Sequence, residues 1–324
     1  MPGITEMGTT FNLPNFVGEL FEASPTDTPF LSMIGGLTGG KPVDAVEFQW
    51  QGYDLRDPSQ RVRLEGADAP DEDNRTRKNV KNVVQIHQEA VSVSYTKLAA
   101  TGQHSGANIS GSNPVKDELK FQISAQIKSI ARDVEFSLLN GTYAYPSDNT
   151  APRKTRGLSS AIVTNVKDAD GDPLTRTLLL DLIQAVWDSG GLKESVTATI
   201  IANSTQKRKL SDALVYAKYQ GSDRNVGGVD VKTIETDFGT LNILLNRYLP
   251  KDMIIVASLD QCQPSILEVP QKGFLFYEPL AKTGASEKGQ LYGEIGLEYG
   301  NEAAHGKITG LSTVVEDEDD EANG

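Results

Sequence analysis

The sequence predicts an α+β protein in which a compact unit carries long appendages, and three features predict it. Period-two apolar alternation marks strands early and late in the chain. One long stretch of helical periodicity lies around residue 130. A dense succession of helices and strands fills residues 157–264. At 324 residues and 38% hydrophobic content, the chain can build one large domain or two.

Residues 1–45 read as an arm with two short helical pieces. Phe16, Val17, Leu20 and Phe21 have helical spacing after Pro14-Asn15. In PTDTPFLSMIGG, Thr28 can cap a helix that has Pro29 as its first residue, and Gly35 stops it. Isolated helices shorter than ~12 residues are marginal in water, so both pieces need a surface to lie on. That surface is either the chain's own domain or another one.

Residues 46–95 read as a long β-hairpin. Val46 to Trp50 and Val91 to Tyr95 each alternate, and between them lies RVRLEGADAPDEDNRTRKN, crowded with charges of both signs. Hairpin loops are usually ~2–5 residues, so a polar connector this long is either a disordered loop or an extended arm. Arg61 to Leu64 still alternates and extends the strands into it. A two-stranded ribbon needs another surface for stability.

The clearest helix runs over 113–140. Asn113 caps it, Pro114 occupies its first position, and Asp117 and Glu118 complement the helix dipole. Val115, Leu119, Ile123, Ile127, Ile130, Val134 and Leu138 form one apolar stripe, and Gly141 ends the helix. Its length would be about 40 Å. Within 157–264, TRTLLLDLIQAVWDSGG places Leu178, Leu179, Leu182, Ile183 and Val186 on a broad apolar face. The strand VTATIIA, the helix STQKRKLSDALVYAKY and strands at VDVKTIET, TLNILLN and DMIIVAS follow. The chain then returns to strands at GFLFYEP, GQLYGEIGLEYG and AAHGKITGL, the last two expected to form a hairpin around Asn301-Glu302. Residues 316–324 hold the run EDEDDE and nothing apolar to bury, so disorder is expected there.

Composition excludes several classes. The net charge is −13, and the body stays acidic without the tail, which argues against wrapping nucleic acid by phosphate neutralisation. No apolar run approaches the ~20 residues that span a bilayer, and the N-terminus has no signal-peptide pattern. Cys262 is the single cysteine, so there is no intrachain disulfide, and a reducing, cytoplasmic setting is expected.

Chemical motifs are weak. Residues 35–41, GGLTGGK, match a phosphate-binding loop up to Lys41, but Pro42 stands where Ser or Thr must hold magnesium, the segment before it is short and helical rather than a buried strand, and no helix follows. A glycine connector is the simpler reading. Asp237-Phe238-Gly239 matches a kinase magnesium motif without its partner motifs and reads as a turn. His87, His104 and His305 have no metal-ligand spacing, and His87 reads as a partly exposed strand residue. Cys262 reads as a buried thiol. Asp71 and Asp73 lack the glycine and terminal glutamate of a calcium loop, and Arg75 and Arg77 neutralise them more simply. No catalytic residue, cofactor or metal is expected, and the weight shifts to a structural role.

The order of parts resembles the major capsid proteins of tailed bacteriophages, which share the Hong Kong 97-type fold. SPTDTPFLSMIGG is similar to that family's arm, and VEFQWQGYDL with VRLEGADAP to the outgoing strand and tip of its extended loop. NVVQIHQEAVSVSY resembles the returning strand, DELKFQISAQIKSIARDVEFSLLNGT the spine helix, and LYGEIGLEYGNEAAHGKITGL the closing strands. The similarity covers nearly all of the chain except the tail.

The resemblance implies an arm (1–45) and an extended loop (46–95). It implies a peripheral domain (96–156 with 265–315) and an axial domain (157–264) pointing to the centre of five- and six-fold rings. It places Arg56, Asp57, Arg61, Arg63, Glu65, Asp71, Glu72, Asp73, Arg75, Arg77 and Lys78 of the loop, and Phe16, Leu20, Phe21, Phe30 and Leu31 of the arm, at contacts with neighbouring copies. Leu119, Ile123, Ile127, Ile130, Val134 and Leu138 would be the spine-helix core. The implied function is an icosahedral shell around packaged double-stranded DNA, without sequence-specific DNA contact and without a membrane. It would be assembled in the host cytoplasm, with scaffold, portal and decoration proteins as further partners. The arm begins almost at Met1, which implies a separate scaffold or none. Lys78 and Lys81 do not by their spacing predict a crosslink. The alternatives are a cellular cargo compartment of the same fold and a nucleotide-dependent enzyme using residues 35–41.

Overall fold

A computed structural model describes residues 26–69, 71–99, 117–193, 198–215, 223–226, 229–282 and 284–314. Expectations on Phe16, Leu20, Phe21, Asn113, Pro114, Val115, His104 and the acidic tail lie outside the described residues. Among the described residues no helix is long and apolar enough to cross a membrane.

The chain begins with α1 (Pro29–Met33) and the short strand β1 (Lys41–Val43). Strands β2 (Glu47–Tyr53) and β3 (Arg77–Val83) pair antiparallel from Glu47↔Val83 to Tyr53↔Arg77 as a two-stranded ribbon. Strand β4 (Gln85–Ser94) follows, then α2 (Tyr95–Ala99) and the long helix α3 (Glu118–Asn140). Asp117 caps α3, its Oδ1 accepting from Lys120 N–H at 3.1 Å. Gly141 is its C-cap, at a position where a Cβ would collide with the Ser137 and Thr155 carbonyls.

After α4 (Leu158–Ala161) and β5 (Val166–Asp168) comes α5 (Arg176–Asp188), capped by Thr175 Oγ1 accepting from Leu178 N–H at 3.2 Å. Gly190 closes its end at φ 83°. Next are β6 (Ala198–Ala202), α6 (Ser204–Val215), β7 (Asp223–Val226), β8 (Val229–Thr236), β9 (Gly239–Leu245) and β10 (Ile254–Ser258). The chain finishes with β11 (Gln263–Leu267), β12 (Leu275–Pro279), β13 (Ser286–Glu298) and β14 (Gly306–Thr309).

Two sheets divide the body. The seven-stranded sheet runs β5-β14-β10-β6-β9-β8-β7, and every residue of β6 and β10 is buried, as their unbroken apolar runs require. Leu179, Leu182, Ile183 and Val186 of α5 pack onto it with Ile200, Ile254 and Ile308. The other sheet is organised on the long β13. Along one edge it pairs β11 and then β12, with β1 outside β11, and along the other it pairs β4 from Gln85↔Ile295 to Ser94↔Ser286. A second core joins α1, the C-terminal half of α3, α4 and β13.

Three expectations need correction. The hairpin expected over 46–95 stops at Val83, and Gln85–Ser94 belongs to the β13 sheet. Val83 and Val84 are buried in succession, so the alternation breaks there and the chain passes from one sheet to another. Arg61–Leu64 forms no strand, since its side chains are exposed and no surface among the described residues supports it. Strands β13 and β14 form no hairpin. Asn301 starts a single 3₁₀ turn through Asn301 Oδ1 and Ala303 N–H at 3.2 Å, and β14 joins the seven-stranded sheet with Ile308 in its core.

Candidate subunit interface

The ribbon is clamped where it leaves the body. Phe48 is buried and stacks on Trp50 at 6.0 Å between centroids, and Trp50 meets Tyr299 edge-on at 4.9 Å. The Trp50 indole N–H donates to the Gly300 carbonyl at 2.7 Å. On the paired strand, the fully buried Asn82 uses its Nδ2 to donate to the carbonyls of Leu297 (2.7 Å) and Arg156 (3.0 Å). Its Oδ1 accepts from Arg156 N–H at 2.8 Å and Val83 N–H at 2.9 Å. Gly296 lies beneath, where a Cβ would come within 2.8 Å of the Val83 carbonyl and 2.9 Å of the Phe48 ring.

A charged layer reinforces this root. Arg153 donates from Nε to the Val84 carbonyl at 2.9 Å and pairs with Glu294. The other Glu294 oxygen accepts from the Tyr292 hydroxyl at 2.6 Å, and burial together with that acceptor pushes the phenol up to about 12. Arg156 lies 4.8 Å over the Tyr143 ring and donates to the Tyr299 hydroxyl at 3.2 Å. Across the ribbon, Lys81 pairs with Glu47 at 3.1 Å, which lowers the carboxyl and raises the amine from their ordinary values.

Beyond Tyr53 and Arg77 the picture reverses. Every described side chain from 54 to 76 is exposed. Leu55, Val62 and Leu64 are 77%, 77% and 84% exposed, with nothing among the described residues to cover them. Of the predicted loop charges, the structure brings Arg61 and Arg75 to Asp73, at 3.4 and 2.7 Å. Arg56 donates to the Asp57 carbonyl (2.9 Å), Arg63 to the Asp68 carbonyl (3.3 Å) and Arg77 to Gln51 (3.0 Å), while Glu72 accepts from Asn74 at 3.5 Å. Among the described residues, Glu65, Asp71 and Lys78 make no such contact. The tip is a charged, partly apolar surface held out on a stiff base.

The arm residues fall elsewhere than expected. Phe30 and Leu31, predicted at a neighbour contact, are buried in the subunit's own core against α3. Their backbone N–H groups donate to the Glu135 carboxylate at 2.9 and 2.6 Å, and Asn246 Nδ2 donates to the same Oε1 at 2.5 Å. The stripe on α3 is likewise divided. Ile130, Val134 and Leu138 are buried, Leu119 and Ile123 are half-buried, and Ile127 is 37% exposed. Among the described residues the C-terminal half of that stripe is fully buried, and Ile123 packs against the edge of the same core.

Sequence reasoning missed Glu135, Asn82 and Arg153. Glu135 was legible in part, because a helical wheel sets it between Leu138 and Leu139, both buried. Asn82 and Arg153 act on backbone atoms far along the chain and leave no local pattern. His87 is buried, not half-exposed, and burial pushes it down to about 4.

Residues 35–41 turn through Gly35 (φ 126°) and Gly36 (φ 72°) directly into β1, with no helix after them, and Lys41 pairs with Glu298 at 2.9 Å. Cys262 is buried, and burial raises its thiol from the ordinary range. The buried His305 accepts from Ser258 N–H at Nδ1 (3.2 Å) and donates from Nε2 to the Tyr299 carbonyl (2.9 Å), a packing role.

This arrangement of mixed sheets, spine helix and outstretched ribbon is the Hong Kong 97-type capsid fold, the class of shell-forming subunits. The capsid of cyanophage A-1(L) superposes with a TM-score of 0.65 at 12% identity, covering 91% of this chain and 95% of that one. The SrpI encapsulin of Synechococcus elongatus PCC 7942 superposes at 0.63 with 14% identity, covering 98% of each chain. The major capsid protein of Escherichia phage Phieco32 is 24% identical over 352 aligned positions, covering 93% of this chain and 94% of that protein. Residues 3–312 match the family model of the SU10 major capsid protein. The chain belongs to the SU10 major capsid protein family, and it is a structural protein of the phage virion whose copies assemble into the capsid.

Proposed function

We propose that residues 54–76 are the tip of an extended loop that lies across an adjacent copy, and that this contact drives closure of five- and six-fold rings into an icosahedral shell around double-stranded DNA. The observation that carries it is the contrast along the ribbon: a root fixed by Trp50, Asn82 and Arg153, and a tip with Leu55, Val62 and Leu64 uncovered. A ribbon built this way delivers its tip to a fixed position outside its own copy. The tip's ion pairs are exposed and worth ~0–1 kcal/mol each, so repeated contacts give register while single ones stay reversible. Heterologous contacts that rotate into rings are the symmetric outcome.

On this reading the seven-stranded sheet points to ring centres and the β13 sheet with α3 forms the periphery. The protein performs no catalysis, assembles in the host cytoplasm, and meets scaffold and portal proteins as well as DNA. Likeness to an encapsulin at 14% identity concerns the fold alone, and the family assignment favours the phage shell over a cargo compartment. Deleting residues 57–78 is expected to leave a cooperatively melting subunit that forms no shells by electron microscopy. Normal shells from that variant would remove the extended-loop assignment.

A further inference from the structure

Beside the ribbon root, a cavity of about 330 Å³ opens between the free edge of β4 and the spine helix α3. Gln85, His87 and Glu89 line one wall, and Asp133, Phe136 and Ser137 the other. Its chemistry is lopsided. Glu89 and Asp133 are both acidic, and among the described residues neither makes a hydrogen bond or ion pair. His87 is only 6% exposed, yet its Nε2 is buried without a partner. A buried ring nitrogen left unpaired costs about 1–3 kcal/mol, so such a group asks for a ligand. Phe136, 53% exposed, offers an aromatic face at the mouth.

The donor of Gln85 is spent on Ser137, its Nε2 donating to Ser137 Oγ at 3.4 Å, while Glu89 and Asp133 are acceptors without a partner among the described residues, and the lining supplies no cation. With a proton on Nδ1, the His87 Nε2 accepts, and burial keeps the ring neutral at physiological pH. Two carboxylates, one ring acceptor and one aromatic face match the donors of a guanidinium, which is planar, always charged and stacks on aromatic rings. A lysine would satisfy fewer of them. The cavity lies along a strand edge that is unpaired among the described residues, where an extended segment from another chain is readily received.

We infer that this cavity receives an arginine from the extended loop of a second copy, drawn from Arg61, Arg63, Arg75 and Arg77. Those side chains are exposed and are held in their own copy only by exposed contacts with Asp73, Asp68 and Gln51. The charge is complementary, and a side chain that leaves its weak partners for a half-enclosed site with three acceptors gains more than it loses. The inference rests on the extended-loop reading and names where the loop docks.

The test uses the full chain. Glu89→Gln with Asp133→Asn changes two side chains at the solvent edge, so circular dichroism and melting temperature should match the parent. The protein concentration at which shells appear should rise about tenfold or more. A second pair separates docking from folding. Copies carrying Glu89→Lys and Asp133→Lys should not assemble alone, nor should copies with Arg61, Arg63, Arg75 and Arg77 changed to Glu. Mixed together, the two should regain six-fold rings in which they alternate, since each supplies what the other lacks; a five-fold ring cannot alternate and should stay absent. If the neutral variant assembles at the parental concentration and the mixture stays unassembled, the loop docks elsewhere and the inference is overturned. Should deletion of residues 57–78 also leave assembly intact, the extended-loop reading itself fails.

Discussion

Glu135 sits on the buried arc of α3, where its carboxylate accepts from Phe30 N–H, Leu31 N–H and Asn246. Burial opposes its charge while those donors favour it, and burial dominates. With the nearby negative Asp27, it lifts the carboxyl from 4.5 to about 7. The sign follows from linkage. The folded state holds the proton more tightly than the unfolded chain, so this group's contribution is complete below pH 4.5 and is lost as pH rises through 7. The loss amounts to on the order of 3 kcal/mol. Asp27, paired with Arg247 at 2.9 Å, is the charged group facing it from the arm. Chemical denaturation between pH 4.5 and 8 should therefore show stability declining in the parent, with that portion flattened in Glu135→Gln. Glu135→Ala strands the Phe30 and Leu31 donors, and a loss of about 2–4 kcal/mol is expected at pH 6. A loss below about 0.5 kcal/mol would mean that the arm helix is not fastened through this residue.

The elements divide by how local their causes are. Helix α5 could be read from the sequence because Thr175, its apolar face and Gly190 lie within sixteen residues of one another. Strands β6 and β10 announced themselves as unbroken apolar runs. The placement of β14 could not be read, because GKIT alternates equally well on either sheet and only Ile308 meeting the α5 core decides it. The same holds for the break at Val83-Val84, where one strand run serves two sheets. At the candidate interface, the exposed charges between 54 and 76 were visible as a run. The clamp beneath them was not, because Asn82, Arg153 and Trp50 bind atoms more than sixty residues away in sequence. Gly296 tests that clamp at the level of whole strands. Gly296→Ala sets a methyl against the Val83 carbonyl and the Phe48 ring, at an expected cost of about 1–3 kcal/mol. Hydrogen exchange should then quicken at the β2 and β3 amides nearest the body while β6 and β10 stay protected. Unchanged exchange in the ribbon would show that it is not held by contact with β13.

At the scale of the whole molecule, stability and assembly draw on different forces. The two cores are apolar, and the ion pairs of the described residues lie mainly on the surface, so the subunit's fold should tolerate salt. In the proposed shell, contacts between copies combine many exposed charges with a few exposed apolar groups, Leu55, Val62, Leu64 and Ile127. Screening acts within ~3 Å at 1 M salt against ~8 Å at physiological ionic strength, and it weakens exposed pairs first. Raising sodium chloride from 0.15 to 1 M is therefore expected to increase the concentration needed for shells by about tenfold. The melting temperature of unassembled subunits should move by less than about 2 °C, because about 1 kcal/mol shifts a domain of this size by several degrees at most. Light scattering follows the first quantity and calorimetry the second. If the melting temperature drops as the concentration needed for shells rises, the charges hold the subunit itself; if assembly ignores salt, the apolar tip carries the contact and the arginines of the loop do not.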